Sequence, residues 1–135
     1  MKLTLESINF INLFEKITRA RVKDCIIEDK KLIFIVNDQD LSKAIGKDGL
    51  NVKKIKNLTK KDIQIIGFSE DIVKFVSNLI YPNKADEIKF DDKIVNILVK
   101  DNVIKGKIYG RDKSNLKRMN EITKRYFDVD NIKIS

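Results

Sequence analysis

Apolar positions along this chain change their spacing several times, and each change marks an element. In TLESINFINLFEKIT, residues 4–18, Phe10, Leu13, Phe14 and Ile17 recur at i, i+3, i+4 and i+7. That is the spacing of a helix with one buried face, and Thr4 stands where an N-cap belongs. Two β-rich segments follow, Val22–Ile27 and Leu32–Val36, flanking the polar EDKK at 28–31. They predict a hairpin. LIFIV, 32–36, has no alternation, which predicts a strand covered on both faces. DLSKAI, 40–45, is short and helical in pattern. A turn holding Gly46 and Gly49 comes next, then a helix from about Leu50 to Lys60, then the strand DIQIIGF, 62–68.

The order then recurs. SEDIVKFVSNLI, 69–80, is amphipathic, with Ser69, Glu70 and Asp71 suited to a helix start and Pro82 to its end. Strand segments Asp86–Phe90 and Ile94–Val99 surround the turn DDK at 91–93. A short helix at Asn102–Ile108, a longer one at Ser114–Phe127 and the strand NIKIS complete the second half. At an offset of 64, Gly46 falls on Gly110, Lys47 on Arg111, Asp48 on Asp112, Asn51 on Asn115 and Lys53 on Lys117. Matching residues within a matching order predict an internal duplication. The expected fold is α+β, with α-β-β-α-α-β written twice. The expected domains are 1–68 and 69–135, joined by the helix at 69–80 and packed rigidly together.

Composition narrows the chemistry. Of 135 residues, 42% are hydrophobic, enough for a packed core. Lys and Arg number 28 against 20 Asp and Glu, a net charge of +8. That excess suggests a polyanionic partner, with solubility or an AT-rich genome's Lys/Ile/Asn bias as the plain alternative. Histidine is absent, which removes the commonest general acid/base and transition-metal ligand. The single cysteine, Cys25, excludes an internal disulfide and a cysteine metal cluster, and reads as core. No GxxxxGK[ST] pattern occurs, and the adjacent Asp91 and Asp92 suit a turn better than a metal site. The expectation is a protein with no catalytic residue, metal or cofactor, and not an enzyme. No apolar run approaches the roughly 20 residues of a membrane span. With no secretory signal in view, the expected setting is the cytoplasm, as a monomer.

The repeated stretch IGKDGLNVKKI, 45–55, has a chemistry of its own. A helix N-terminus attracts anions, and glycine lets a phosphate approach the backbone. Gly46 and Gly49 therefore suit a sugar–phosphate chain, and Lys47 can pair with a phosphate. Asp48, and Asp112 in the second copy, read as caps of the helices that follow. In the first helix Val52, Ile55 and Thr59, with Leu58 nearby, line one side, while Lys53, Lys56 and Lys60 line another. In the second, Leu116, Met119, Thr123 and Tyr126 fall on the apolar side and Lys113, Lys117 and Lys124 on the basic one. Lysine stripes are mostly solvated faces; beside a repeated glycine turn they point to a ligand.

These residues resemble the KH-domain signature, in which a GxxG turn between two helices clamps about four nucleotides. The α-β-β-α-α-β order is similar to the type II KH arrangement. Two units in so short a chain look like the stand-alone archaeal NusA-like transcription factors, a family similar to the tandem KH region of bacterial NusA. ARVKDCIIEDKKLIFIV, AIGKDGLNVKKI and IIGFSEDIVKFVSNLIYP carry the resemblance, which covers essentially the whole chain. It implies binding of single-stranded RNA in transcription termination or antitermination, with RNA polymerase or the elongation complex as a further partner. The RNA contacts it implies are Ile45, Gly46, Lys47, Asp48 and Gly49 in the first turn. Asn51, Val52, Lys53, Lys56 and Lys60 follow on its helix. In the second copy they are Gly110, Arg111, Asp112 and Lys113, then Asn115, Lys117 and Arg118. Ile45, Val52 and Ile65, with Ile108 and Leu116, are the groove candidates, each weighed against a place in the core.

The second copy departs from the pattern, because Lys113 replaces the second glycine. Either that turn is degenerate and architectural, or it is re-formed with Arg111 and Lys113 adding charge; the basic neighbourhood favours re-formation. A ribosome-associated KH role would use the same residues, and a protein-interaction role remains open for the second half.

Overall fold

The amphipathic N-terminal segment folds as α1, Leu5–Thr18, in a computed structural model that describes residues 4–135. Thr4 caps it: its hydroxyl accepts from the Ser7 N–H while the Ser7 hydroxyl accepts from the Thr4 N–H. Phe14 is the buried centre of the apolar face, with Phe10, Ile11 and Ile17 half-buried around it. At the other end, the Glu15 carboxylate accepts from the Val22 N–H at 2.9 Å and ties the helix to the strand that follows.

That strand, β1 (Val22–Ile27), pairs antiparallel with β2 (Lys31–Asn37), and β3 (Asp62–Phe68) pairs parallel on the other side of β2. Leu32, Phe34 and Val36 face a core shared with Phe14, Ala20, Cys25, Ala44 and Ile55. The Phe14 and Phe34 rings stack with centroids 4.2 Å apart. Ile33 and Ile35, which alternate with these, are fully buried as well, so the unalternated run LIFIV is covered on both faces. A parallel pair cannot be joined by a hairpin and needs a crossover. Here the crossover is α2 (Leu41–Ile45), a turn, and α3 (Leu50–Thr59). Ala44 and Ile55 are both fully buried, so each helix is pinned to the sheet on its own side of the turn.

The same scheme runs again: α4 (Ile72–Ile80), β4 (Glu87–Asp91), β5 (Ile94–Leu98), α5 (Asn102–Tyr109), α6 (Ser114–Tyr126) and β6 (Asn131–Ile134). β4 pairs antiparallel with β5, and β5 parallel with β6. The chain divides into two compact units, Met1–Ser69 and Glu70–Ser135. Within the second, α4 packs on β4 and α6, and Phe75 meets the rings of Tyr126 and Phe127 at 6.2 and 5.5 Å. The start of α4 differs from the expectation at Ser69. Asp71 is the N-cap, its carboxylate accepting from the Val73 N–H, because it is the residue in extended conformation with an acceptor within reach of the first turn. Val95, Ile97 and Ile132 are buried, while the alternating Asn96 and Lys133 are exposed. No helix among the described residues is long and apolar enough to cross a membrane.

Cys25 lies in the first core, where burial, and then the charges of Asp24 and Glu6, push its thiol up to about 12. The thiolate is the reactive form. The thiol is therefore expected to be silent to Ellman's reagent at pH 8 in the native protein and to react promptly in denaturant; rapid native labelling would contradict a closed first core. Truncating Phe14 to Ala is expected to cost about 3–5 kcal/mol in urea denaturation, from reduced burial and the cavity left against Phe34. A cost under about 1 kcal/mol would remove Phe14 from the centre of that core.

Candidate nucleic-acid interface

The link between α2 and α3 is built from unusual backbone. Gly46 has φ 79°, ψ 168°, Asp48 has φ 55°, ψ 28°, and Gly49 has φ 71°, ψ 20°. The link between α5 and α6 repeats it residue by residue: Gly110 at 75°, 171°, Asp112 at 55°, 31°, and Lys113 at 60°, 24°. The second turn therefore repeats the backbone conformation of the first. Lys113 accepts a left-handed conformation that costs an L-residue roughly 1–2 kcal/mol.

The two glycine positions are held for different reasons. At Gly46 a positive φ combines with ψ near 170°, a region essentially confined to glycine. A Cβ there would also lie 2.9 Å from Cγ of Asn51, and at Gly110 2.6 Å from Cγ of Asn115. At Gly49 a Cβ would meet nothing within 4 Å, so only φ is demanding. That is the position at which the second copy carries a lysine.

Asp48 and Asp112 do not cap the following helices. The N-cap of α3 is Gly49 and that of α6 is Lys113, and neither helix has a side-chain cap. A capping residue needs extended backbone, whereas both aspartates are left-handed, a conformation that Asp tolerates better than most residues. By contrast α1, α4 and α5 are capped by Thr4, Asp71 and Asp101. The helices after the two turns thus start without a side-chain acceptor for their first N–H groups, where an anion is favoured.

Cations surround these starts. Lys47 is exposed at the first turn, with Lys53 and Lys56 exposed along α3 and Lys60 at its far end, and Arg111, Lys113 and Lys117 are exposed at and after the second. Lys56 pairs with Asp62 at 3.1 Å on the surface, and Lys60 terminates α3 in left-handed conformation. Arg118 is half-buried and donates to Oδ1 of Asn115 at 3.0 Å. Asn51 and Asn115 donate from Nδ2 to the carbonyls of Lys43 and Lys107.

The apolar candidates divide. Ile45, Val52 and Leu116 are half-buried beside the turns, and Ile65 packs against the first core. Ile108 is 3% exposed and belongs to the second core, because α5 turns it inward. The residue at the place of Ile45 is Tyr109, which the offset of 64 identifies and the groove candidates omit. Its hydroxyl donates to the Ile134 carbonyl at 3.1 Å, and Nζ of Lys113 lies 5.8 Å from its ring centroid. Leu50, directly after the first turn, is 59% exposed, and Leu58 is exposed instead of packing on the sheet. Nothing in the spacing marks Leu50; only its position beside the turn does. Among the described residues no group of three or more His, Cys, Asp or Glu is placed to hold a metal.

With this geometry in place, the likenesses to known proteins become specific. A family model described as the NusA-like second KH domain matches residues 11–71, essentially the first unit. A protein of Methanocaldococcus jannaschii named "Probable transcription termination protein NusA" is 35% identical over 99% of this chain and 75% of its own length. One of the same name from Methanococcus vannielii is 35% identical, covering 99% and 79%. Another, from Halococcus morrhuae, is 26% identical over the whole of both chains. The crystal structure of APE1850 superposes with a TM-score of 0.75 at 27% identity, over 98% of this chain and 100% of that one.

The turns are expected to respond unequally to substitution. Gly49→Lys should cost only about 1–2 kcal/mol in urea denaturation, and Lys113→Gly should stabilise by a similar amount. Gly46→Ala and Gly110→Ala should cost about 3 kcal/mol or more, since strain and overlap with the asparagine add. Equal costs at Gly46 and Gly49 would refute the distinction.

Proposed function

Because the chain belongs to the archaeal NusA-like family of KH-domain proteins, we propose that it grips single-stranded RNA with both of its turns and acts in transcription termination or antitermination. The observation behind this reading is the pair of turns. Two helix starts without side-chain caps share one backbone conformation and are ringed by exposed cations.

In this reading the RNA backbone runs past Gly46 and Gly49 in one unit and Gly110 and Lys113 in the other. Lys47, Arg111 and Lys113 neutralise phosphates at the turns. Lys53, Lys56 and Lys60 extend the track along α3, and Lys117 and Arg118 along α6. Asp48 and Asp112 act through the backbone conformation they hold. Ile45 and Val52 meet base faces in the first unit, Tyr109 and Leu116 in the second. Each KH unit holds about four nucleotides, so the pair holds about eight. Only Ser69–Asp71 separate β3 from α4, and so short a connection keeps the effective concentration of the second contact high. The chemistry is binding without turnover, by a cytoplasmic monomer whose further partner is RNA polymerase or the elongation complex.

Fluorescence anisotropy with a random RNA of about a dozen nucleotides tests this, longer than the roughly eight the two units span. Gly49→Asp and Lys113→Asp are each expected to weaken binding about tenfold or more, with circular dichroism unchanged. In the Lys113→Asp variant, the slope of log K against log salt should fall by about 0.7, because one phosphate fewer is neutralised. If only Gly49→Asp matters, the second turn is architectural; if neither matters, these turns do not bind RNA.

A further inference from the structure

We propose that Asn51 and Asn115 are positioning residues that lock the two turns in their binding conformation, a role that rests on the RNA reading above. Each lies in the first turn of its helix and reaches back over the link. Nδ2 of Asn51 donates to the Lys43 carbonyl at 3.1 Å, and Nδ2 of Asn115 to the Lys107 carbonyl at 3.2 Å. Lys43 and Lys107 lie in the last turns of α2 and α5, where carbonyls run out of helical N–H partners. The asparagine supplies the missing donor. In the first unit the helix so tied has only five residues, too short to hold itself.

The same side chain explains the first glycine. The asparagine amide lies against that residue's Cα, where a Cβ would sit 2.9 Å from Nδ2 in the first copy and 2.7 Å in the second. Glycine and asparagine, five residues apart, therefore form one device: the glycine leaves the space that the asparagine needs. The copies differ at the second glycine and at the residue after it, yet both keep this pair. Asp could not replace Asn, because a carboxylate has no N–H to donate and would face a carbonyl oxygen. Ser is too short, and Gln adds a methylene where no room is left.

The lock fixes the direction in which each helix start faces its ligand. A positioning role predicts weaker affinity with every phosphate still neutralised. The test uses the full chain, with amide hydrogen exchange read by NMR in the absence of RNA and anisotropy with the same RNA. In Asn51→Ala the amides of Gly46 and Gly49, which bond to the Ser42 and Gly46 carbonyls, should exchange about tenfold faster. The amides of Gly110 and Lys113 should not change. Asn115→Ala should do the reverse, and Asn51→Asp should behave as Asn51→Ala. RNA affinity should fall about tenfold in the two alanine variants at an unchanged salt slope, whereas Asn51→Asp also places a negative charge at the helix start and is read by exchange alone. Weaker RNA binding with unchanged turn exchange would mean that the asparagine touches RNA directly and would overturn the proposal. So would faster exchange throughout the unit, which would mark ordinary destabilisation. Should Asn51→Ala not fold, Asn115→Ala in the longer-helix copy decides the matter alone. If the wild type binds no RNA, the RNA reading fails, while the exchange data still judge the lock.

Discussion

Parallel pairing of the second and third strands in each unit is the constraint from which the remaining features follow. It forbids a hairpin and demands a crossover long enough to traverse the sheet. Both crossovers meet that demand with two helices pinned by buried side chains, Ala44 and Ile55 in one unit, Ile108 and Met119 in the other. The chain must then reverse between two anchored helices within four residues. Right-handed helical or extended backbone alone does not make so tight a link, so the turn takes left-handed conformations at two successive positions. The strain is local and the packing on either side holds it in place, which is how such conformations persist. A helix start that could not be capped in the usual way is the by-product, and it is the feature an anion would use.

Electrostatics build on that geometry and do not create it. The exposed lysines and arginines lie on helix faces turned away from the cores, where they cost little. An aspartate at each turn looks out of place in a basic surround until its backbone is considered: it supplies a left-handed residue where a β-branched one would be severely strained. Capping side chains at Thr4, Asp71 and Asp101 show that the chain caps other helices, although α2 also starts without one. Their absence at α3 and α6 is a consequence of the turn conformation.

Much of this is legible in the residues. The spacing of Phe10, Leu13, Phe14 and Ile17, the unalternated LIFIV and the offset of 64 carry the element order, the buried strand and the duplication, because each depends only on local periodicity. The departures have a common physical origin. Asp48 and Asp112 look like caps because Asp before a helix usually is one; the left-handed backbone that rules this out is imposed by the crossover, which spacing does not reveal. Leu58 looks sheet-facing by spacing, but it lies about 60° round the helix from the buried Ile55, on the flank away from the half-buried Val52 and Thr59. Tyr109 is legible in principle, since the offset that aligns the glycines also places it on Ile45. The two roles of the glycines are not, because they depend on where an asparagine five residues away puts its amide.

The duplication turns one chain into its own comparison, and the comparison separates two kinds of constraint. Where a Cβ would collide with a neighbour and the backbone is closed to L-residues, both copies keep glycine. Where only φ is unusual and the space is open, one copy has drifted to lysine. The following residue drifts too, from an exposed leucine to a serine. Packing therefore fixes the frame of each turn and leaves free the two positions that face outward from it. Those positions give the first turn a bare backbone beside an apolar side chain, and the second an ammonium beside a hydroxyl. Identical frames with unlike outward groups leave the two turns with one backbone conformation and different surface chemistry at those two positions.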